Sequence, residues 1–239
     1  MSRSLAEVDY SGFTVAPTDA DPMIDPVACP PIGELAEPAV QPLAPLPAAD
    51  DEPLVPIELR GVRTLECYFH AGWDHARPST LARSGVVDRL DAVTDSLPEG
   101  FGLAVFDAWR PLELQAELHA AAYGDDRLPP GFIAEPVTEP TRPPAHLTGG
   151  AVDLTLTWRG APLALGTGFD DFTPAAHALA EETRPGPIRD LRRLLTAAMR
   201  SQGFVVLDLE WWHFEWGTRR WAAIRGEPAR YGPAAPLTG

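Results

Sequence analysis

Hydrophobic residues recur at two different periods along the chain beyond its first 50 positions. Three segments place them three or four residues apart, a spacing that predicts amphipathic helices. Pro111 suits the first turn of the second helix, and Gly203 suits the end of the third. The three predicted helices cover residues 80–97, 112–123 and 189–202.

Short runs of β-branched and apolar residues between these helices predict strands. The clearest is AVDLTLTW, in which apolar and polar residues alternate as on a half-buried strand. The segment 124–145 is rich in Pro and Gly and is expected to be a long surface loop. The pattern predicts one α+β domain, with a small antiparallel sheet and flanking helices. The predicted strands cover residues 56–62, 103–107, 151–158 and 204–209.

The first 52 residues have a different composition from the rest of the chain. They are rich in Pro, Ala, Asp and Glu, as in PLAPLPAADDEP. Such a segment buries little apolar surface and resists regular structure, so we expect a flexible or loosely draped extension. The folded domain is then predicted to cover residues 53–239.

Composition excludes several classes of function. A net charge of −15 argues against nucleic-acid binding. All 19 basic residues are Arg, which excludes a lysine Schiff base or lysine general base. We expect no membrane segment and no secretory signal, because no apolar run of suitable length is present. Two cysteines, Cys29 and Cys67, do not form a disulfide framework, so a reducing cytoplasmic location is expected.

The segment LEWWHF, residues 209–214, combines a carboxylate, two tryptophans and an imidazole. It can be a half-buried core strand, or it can be the wall of a site that Glu210 and His213 face. In a regular strand, residues three apart point to opposite faces. A shared site would therefore require a bulge or a strand end at this point.

A second cluster, HLTGGAVDL, contains His146 and Asp153. In one extended strand these residues would lie on the order of 20 Å apart. Gly149 and Gly150 permit the chain to fold back between them, because glycine adopts positive φ at little cost. The alternative is an exposed histidine before a turn and an aspartate on the polar face of a strand.

Taken together, His146, Asp153 and His213 provide two imidazoles and one carboxylate, the pattern of a catalytic zinc with an open fourth position. Glu210, beside this set, suits a general base in hydrolysis. Arg110, in FDAWRPLELQ, follows a predicted strand and precedes a helix, where a guanidinium can stabilise an oxyanion. It can equally form an ion pair with Asp107.

The ordered motifs DAWRP, H-x6-D within GGAVDLTL and EWWH resemble those of the zinc-dependent D-alanyl-D-alanine dipeptidases. That family includes the vancomycin-resistance type and shares the D-Ala-D-Ala carboxypeptidase and hedgehog-like zinc fold. The resemblance spans about residues 59–216 and leaves out the extension.

The resemblance implies hydrolysis of a small D-amino-acid dipeptide, D-Ala-D-Ala or a close analogue, in cell-wall metabolism. It also implies a set of site residues. One zinc per chain would bind His146, Asp153 and His213; Glu210 would be the base, Arg110 would stabilise the transition state, and Asp170 in LGTGFDDF would bind the amino group of the substrate.

Two departures from the family pattern affect the expected substrate pocket. Pro144 stands where the family usually has a serine that contacts the substrate. The segment RGVRTLECYFHAG replaces a family motif, of which only Phe69 and Gly72 are retained. One alternative is therefore a relative that acts on another small peptide or amide in a biosynthetic pathway. Another is a non-catalytic zinc-binding module, against which Glu210 argues, since a structural zinc needs no base. The sequence leaves the oligomeric state open.

Overall fold

The computed structural model describes residues 4–21, 28–35, 38–44, 52–124 and 133–236. The strands fall into a two-stranded sheet and a six-stranded sheet. The strands are β1 (Leu54–Pro56), β2 (Val62–Thr64), β3 (Leu81–Arg83), β4 (Phe101–Asp107), β5 (Ala151–Trp158), β6 (Ala161–Pro162), β7 (Val205–Leu207) and β8 (Glu210–Glu215).

The helices surround the larger sheet and alternate with its strands along the chain. The α-helices are α1 (Pro17–Ala20), α2 (Cys67–His70), α3 (Ser84–Ser96), α4 (Leu112–Tyr123), α5 (Pro187–Ser201) and α6 (Arg219–Arg225). The 3₁₀ turns are Leu5–Glu7, Ser11–Phe13, His146–Thr148 and Pro174–Ala176. The predicted α+β class is confirmed.

The larger sheet has the strand order β2-β4-β5-β8-β7, with β6 also paired to β5. Its strands are antiparallel, as predicted for the sheet that carries the site, except that β2 and β4 run parallel. The chain crosses from β2 to β4 through β3 and α3, and such a crossover connects parallel strands. The strands β5 and β8 lie in the interior of the sheet, where all their residues except Trp158 are buried.

Most predicted elements are present, and the largest differences from the predicted bounds are in three of them. The predicted strand 56–62 is wrong, because two short strands, β1 and β2, flank that segment. The predicted helix 80–97 begins only at Ser84, since residues 81–83 pair with β1. The predicted strand 204–209 is shortened to β7, and EWWHF forms β8. The described part of the predicted loop, 133–145, contains neither helix nor strand, and residues 125–132 lie outside the described structure.

Described parts of the first 52 residues lie against the domain. Leu5 and Tyr10 are buried, and Val15 pairs with Leu163 in a parallel bridge next to β6. The predicted flexibility of this extension and the predicted boundary at residue 53 remain predictions. Within the described ranges, no helix is both long enough and apolar enough to cross a membrane.

Candidate metal centre and active site

Three acidic or imidazole side chains form a row across the centre of the larger sheet. Asp107 of β4 pairs with Asp153 of β5, and Asp153 pairs with His213 of β8. A register shift at Phe106 brings Asp107 opposite Asp153. Because directly paired residues have Cβ atoms about 5 Å apart, strand register alone brings these groups together.

A tight turn brings His146 to the same place. His146 begins a 3₁₀ turn, which ends at Gly149 with a φ of 72°. A Cβ on Gly149 would lie 2.5 Å from Cδ2 of Leu54, and one on Gly150 would lie 2.6 Å from the carbonyl oxygen of Trp216. The predicted fold-back between His146 and Asp153 is confirmed, and both positions need glycine for it.

His146, Asp153 and His213 present three converging ligand atoms. Nδ1 of His213 lies 2.9 Å from Oδ1 of Asp153 and 3.2 Å from Nε2 of His146. Nε2 of His146 lies 3.3 Å from Oδ2 of Asp153. All three side chains are buried, and their ligand atoms lie within 4.8 Å of one another. This group can hold a metal ion.

The other nitrogen of each imidazole has its own acceptor. Nδ1 of His146 lies 2.7 Å from the carbonyl oxygen of Ala108, and Nε2 of His213 lies 3.1 Å from Oε1 of Glu215. Thr218 donates a hydrogen bond to the second oxygen of Glu215. When the imidazoles are neutral, as metal binding requires, these partners hold the single proton on the outer nitrogens, so that the lone pairs of Nε2 on His146 and Nδ1 on His213 point into the site.

The charges around these ligands favour a cation. Burial alone would lower the pKa of His213, but its hydrogen bonds to Asp153 and Glu215 raise that pKa to about 10. Burial raises the pKa of Asp153, and the two imidazoles outweigh that effect and lower it below its usual value. A carboxylate and two inward lone pairs form a donor set that fits a divalent metal.

Glu210 is the first residue of β8 and lies beside the ligands. Its Oε2 is 3.9 Å from Nδ1 of His213. The pairing with β7 is irregular here, because Val206 pairs with Phe214 while Leu207 pairs with Glu210. This irregularity is the one required for Glu210 and His213 to share a face. Burial raises the pKa of Glu210 to about 7, which suits a group that exchanges protons near neutrality.

Both structural alternatives for LEWWHF hold at once. Trp211 and Trp212 are buried in the core, and Trp211 donates a hydrogen bond of 2.8 Å to Thr167. Glu210 and His213 face the candidate metal centre from the same strand. The segment is therefore a core strand and a site wall.

Arg110 is held at the site by a dense set of acceptors. Its Nε donates to Asp107 at 2.9 Å, Nη1 donates to Gln115 at 3.0 Å, and Nη2 lies 3.6 Å from Oδ2 of Asp153. Burial alone would lower the pKa of Arg110, but Tyr68 and the surrounding aspartates outweigh this effect and raise its pKa above the usual value. Arg110 thus forms the ion pair with Asp107 and is also a fixed cation beside the ligands.

Asp170 is linked to Arg110 through one hydroxyl group. The hydroxyl of Tyr68 donates to Oδ2 of Asp170 at 2.9 Å and accepts from Nη2 of Arg110 at 3.2 Å. Asp170 has a φ of 54°, in the left-handed region that side-chain-bearing residues seldom adopt. Burial raises the pKa of Asp170 well above its usual value, and Arg110 opposes that effect.

Comparison with known proteins agrees with this geometry. A sequence model of the peptidase M15 family, described as D-Ala-D-Ala dipeptidase, matches residues 80–224. This range includes Arg110, His146, Asp153, Asp170, Glu210 and His213. The chain belongs to this family.

Several relatives within the family are similar to the chain over different lengths. A D-alanyl-D-alanine dipeptidase of Synechocystis is 28% identical over 221 residues, covering 77% of this chain and 90% of the relative. One of Escherichia coli is 37% identical over 133 residues, 54% of this chain and 64% of the relative. One of Enterococcus faecalis is 30% identical over 127 residues, 48% of this chain and 62% of the relative.

The structure adds two residues that the reading of the dipeptidase motifs missed. Tyr68 lies next to Phe69, one of the two residues that resemble the family motif. Nothing in the local sequence marks Tyr68 as the link between Arg110 and Asp170. Glu215 had a usable signal, because residues two apart on a strand share a face and Glu215 follows His213 by two.

The departure from the dipeptidase pattern at Pro144 affects a buried position. Pro144 and Ala145 line a cavity of about 240 Å³ together with Glu215, Thr218 and Arg219. A proline has neither a side-chain nor a backbone donor, so a substrate cannot accept a hydrogen bond from this position.

Proposed function

We propose that the protein is a zinc-dependent dipeptidase that hydrolyses D-Ala-D-Ala or a close analogue. The observation that carries this proposal is the convergence of His146, Asp153 and His213 with Glu210 and Arg110 in one buried site. The names of the relatives, D-alanyl-D-alanine dipeptidases, support the same substrate class.

One zinc ion per chain would be held by Nε2 of His146, a carboxylate oxygen of Asp153 and Nδ1 of His213. When bound, zinc supplies a Lewis acid that polarises a carbonyl and makes water more acidic. Three protein ligands leave room for further coordination, which distinguishes such sites from closed structural zinc sites. This count argues against a non-catalytic zinc-binding module.

Glu210 is the proposed general base and acid. Its carboxylate lies close to the three proposed metal ligands but is not one of them. It is therefore available to accept a proton from the attacking water. It then delivers that proton to the leaving amine. Its burial keeps it basic enough to accept the proton near neutral pH.

Arg110 is the proposed stabiliser of the tetrahedral intermediate. Asp107 and Gln115 hold its guanidinium in one orientation, so little reorganisation is needed when negative charge develops on the carbonyl oxygen of the substrate. Its position next to Asp153 directs the cation toward the reacting centre.

Asp170 is the proposed partner of the substrate amino group. An ammonium beside this buried carboxyl favours its ionised form, which burial alone disfavours. Binding of a free amino group close to the reacting carbonyl excludes peptides that are extended at the N-terminus, because these have no ammonium at that place.

The decisive experiment measures D-Ala-D-Ala hydrolysis by the purified protein and the zinc content of the same sample. One zinc per chain with turnover is the expected result. One zinc per chain without turnover of any D-dipeptide would overturn the substrate assignment. Absence of tightly bound zinc, together with full activity in a chelator, would overturn the metal assignment.

A second candidate rests on the altered pocket. Pro144 replaces a donor-bearing residue at a buried position, and residues 60–72 depart from the family motif. These changes favour a family member that cuts another small peptide or amide in a biosynthetic pathway. A panel of dipeptides differing in chirality and side chain separates the two candidates by their kcat/KM values.

A further inference from the structure

The first described segment of the chain packs against residues beside Asp170, the proposed contact of the substrate amino group. We name residues 4–15 the N-terminal strap. One end is anchored by the buried Leu5, whose 3₁₀ turn packs against α4. At the other end Val15 donates a hydrogen bond of 2.9 Å to Pro162 and accepts one of 2.8 Å from Ala164. The strap lies outside the region that the family model matches, which begins at residue 80.

Tyr10 lies between these two anchors and is 3% exposed. Its ring meets Tyr68 edge-on at a centroid distance of 5.8 Å and Phe169 at 5.3 Å. Its hydroxyl accepts a hydrogen bond of 2.9 Å from Nε1 of Trp73. The strap thus places a fixed aromatic ring against two residues that adjoin Asp170.

Those two residues determine where the carboxylate of Asp170 lies. Tyr68 donates its hydroxyl to that carboxylate, and Phe169 precedes Asp170 in the chain. Phe169 also stacks on Phe106 at 4.8 Å. Asp170 itself has the unfavourable φ of 54°, and such a conformation persists only where its surroundings impose it.

We infer that Tyr10 is a positioning residue for substrate binding: by packing against Tyr68 and Phe169 it holds Asp170 where it meets the amino group of the dipeptide. This inference rests on the proposed function. It gives the N-terminal strap a part in recognition, although the strap contributes no ligand atom to the metal centre.

The test compares three variants with the wild-type protein. Tyr10→Ala removes the ring. Tyr10→Phe keeps the ring and removes only the hydroxyl. Leu5→Ala weakens one anchor of the strap but leaves the ring of Tyr10, its hydrogen bond with Trp73 and the pairing of Val15 in place, and so controls for a general loss of stability.

The first readout is the division of the effect between KM and kcat for D-Ala-D-Ala. Because displacing a positioned group by about 1 Å can cost about a hundredfold, we expect Tyr10→Ala to raise KM about tenfold or more, with kcat within about threefold. Tyr10→Phe and Leu5→Ala should keep KM within about twofold of wild type, and zinc content should be unchanged throughout.

The second readout needs no activity. Hydrogen exchange of a peptide covering residues 165–172 should be faster in Tyr10→Ala than in wild type, and unchanged in Tyr10→Phe and Leu5→Ala. An unchanged exchange rate in Tyr10→Ala would overturn the inference, as would an equal rise of KM in Tyr10→Ala and Leu5→Ala. A wild-type protein that fails to cut the dipeptide would overturn the proposed function, and the exchange data would still decide whether Tyr10 holds the Asp170 segment.

Discussion

The carboxylate of Glu215 lies 3.1 Å from Nε2 of His213, on the opposite side of the imidazole from Asp153. Glu215 is buried, and Thr218 at the start of α6 holds its other oxygen. The pair fixes both the ring orientation and the tautomer of His213. Metal affinity is therefore expected to depend on a residue that is not itself a ligand.

Replacement of Glu215 is predicted to weaken metal binding. Glu215→Leu removes the acceptor of the Nε2 proton, and we expect zinc affinity to fall about 10–100-fold, as measured by competition with a chelator. Glu215→Gln keeps an oxygen acceptor and should lose less. Equal affinity in Glu215→Leu and wild type would show that the orientation of His213 is set elsewhere.

Replacement of Glu210 is predicted to separate metal binding from turnover. Glu210→Gln keeps the shape of the side chain and removes its proton exchange, so kcat should fall about 10²–10⁴-fold with zinc content unchanged. His213→Ala, by contrast, should lose the zinc as well. Glu58→Gln, at an exposed position, is the matched control and should behave as wild type. Full activity of zinc-loaded Glu210→Gln would refute the assignment of the base.

Replacement of Arg110 tests the need for a guanidinium in place of a simple positive charge. Lysine cannot contact Asp107, Gln115 and Tyr68 at once, so Arg110→Lys should lower kcat about 10²–10³-fold while zinc remains bound. The exposed Arg159→Lys serves as control. A change confined to KM would indicate a role in substrate binding alone.

Replacement of Gly149, where the chain folds back, is predicted to lower the stability of the protein. Gly149→Ala adds a methyl group 2.5 Å from Leu54 in a left-handed conformation, and the free energy of unfolding should fall by about 2–4 kcal/mol. Gly160 also has a positive φ but open space around it, so Gly160→Ala should cost only about 1 kcal/mol. Urea denaturation of both variants gives the comparison, and equal losses would mean that the close approach at Gly149 is relieved without cost.

One ion pair far from the metal centre predicts a pH-dependent contribution to stability. Two hydrogen bonds from Arg193 to Glu182, of 2.9 and 2.7 Å, are the main cause that lowers the pKa of Glu182 from its usual 4.5. Because the pKa of Glu182 is lower in the folded state than in the unfolded state, its ion pair stabilises the protein at pH values above the unfolded-state pKa. This contribution is lost as the pH falls through the folded-state pKa.

Glu182→Gln should therefore lower the Tm at neutral pH, and the difference from wild type should shrink as the pH is lowered below 4.5. Thermal denaturation at several pH values measures this difference. Glu227→Gln breaks an exposed pair with Arg225 and should have little effect at any pH. A Tm difference for Glu182→Gln that stays constant into the acid range would contradict the prediction.

The sequence was most informative where local pattern and tertiary structure agree. The helix at 112–123 and the strand at 151–158 have the predicted bounds. The spacing of apolar residues in the helix coincides with the face that becomes buried, whereas the polar residues of the strand are buried as well, because β5 is a central strand covered on both faces. Residue types and the glycines between them predict His146, Asp153 and His213 as metal ligands, and the structure brings these three side chains together.

The remaining differences arise from contacts between distant segments. Residues 81–83 continue the helical pattern, yet they pair with β1, a segment that lies 25 or more positions earlier. The same holds for the parallel pairing of β2 with β4 and for the packing of Tyr10 against Phe169. Both are contacts between segments far apart in the chain, and the spacing of hydrophobic residues within one segment does not predict them.

The row of Asp107, Asp153 and His213 across three neighbouring strands also limits how the gene can vary in length. Deleting or inserting a single residue within β5 or β8 would turn Asp153 or His213 to the opposite face of the sheet. The connection between β6 and β7 carries none of these three residues but does carry Asp170, so changes of length near Asp170 would leave the row intact and disturb the proposed substrate site. Variation in chain length among functional homologues is therefore expected to spare both the central strands and the segment around Asp170.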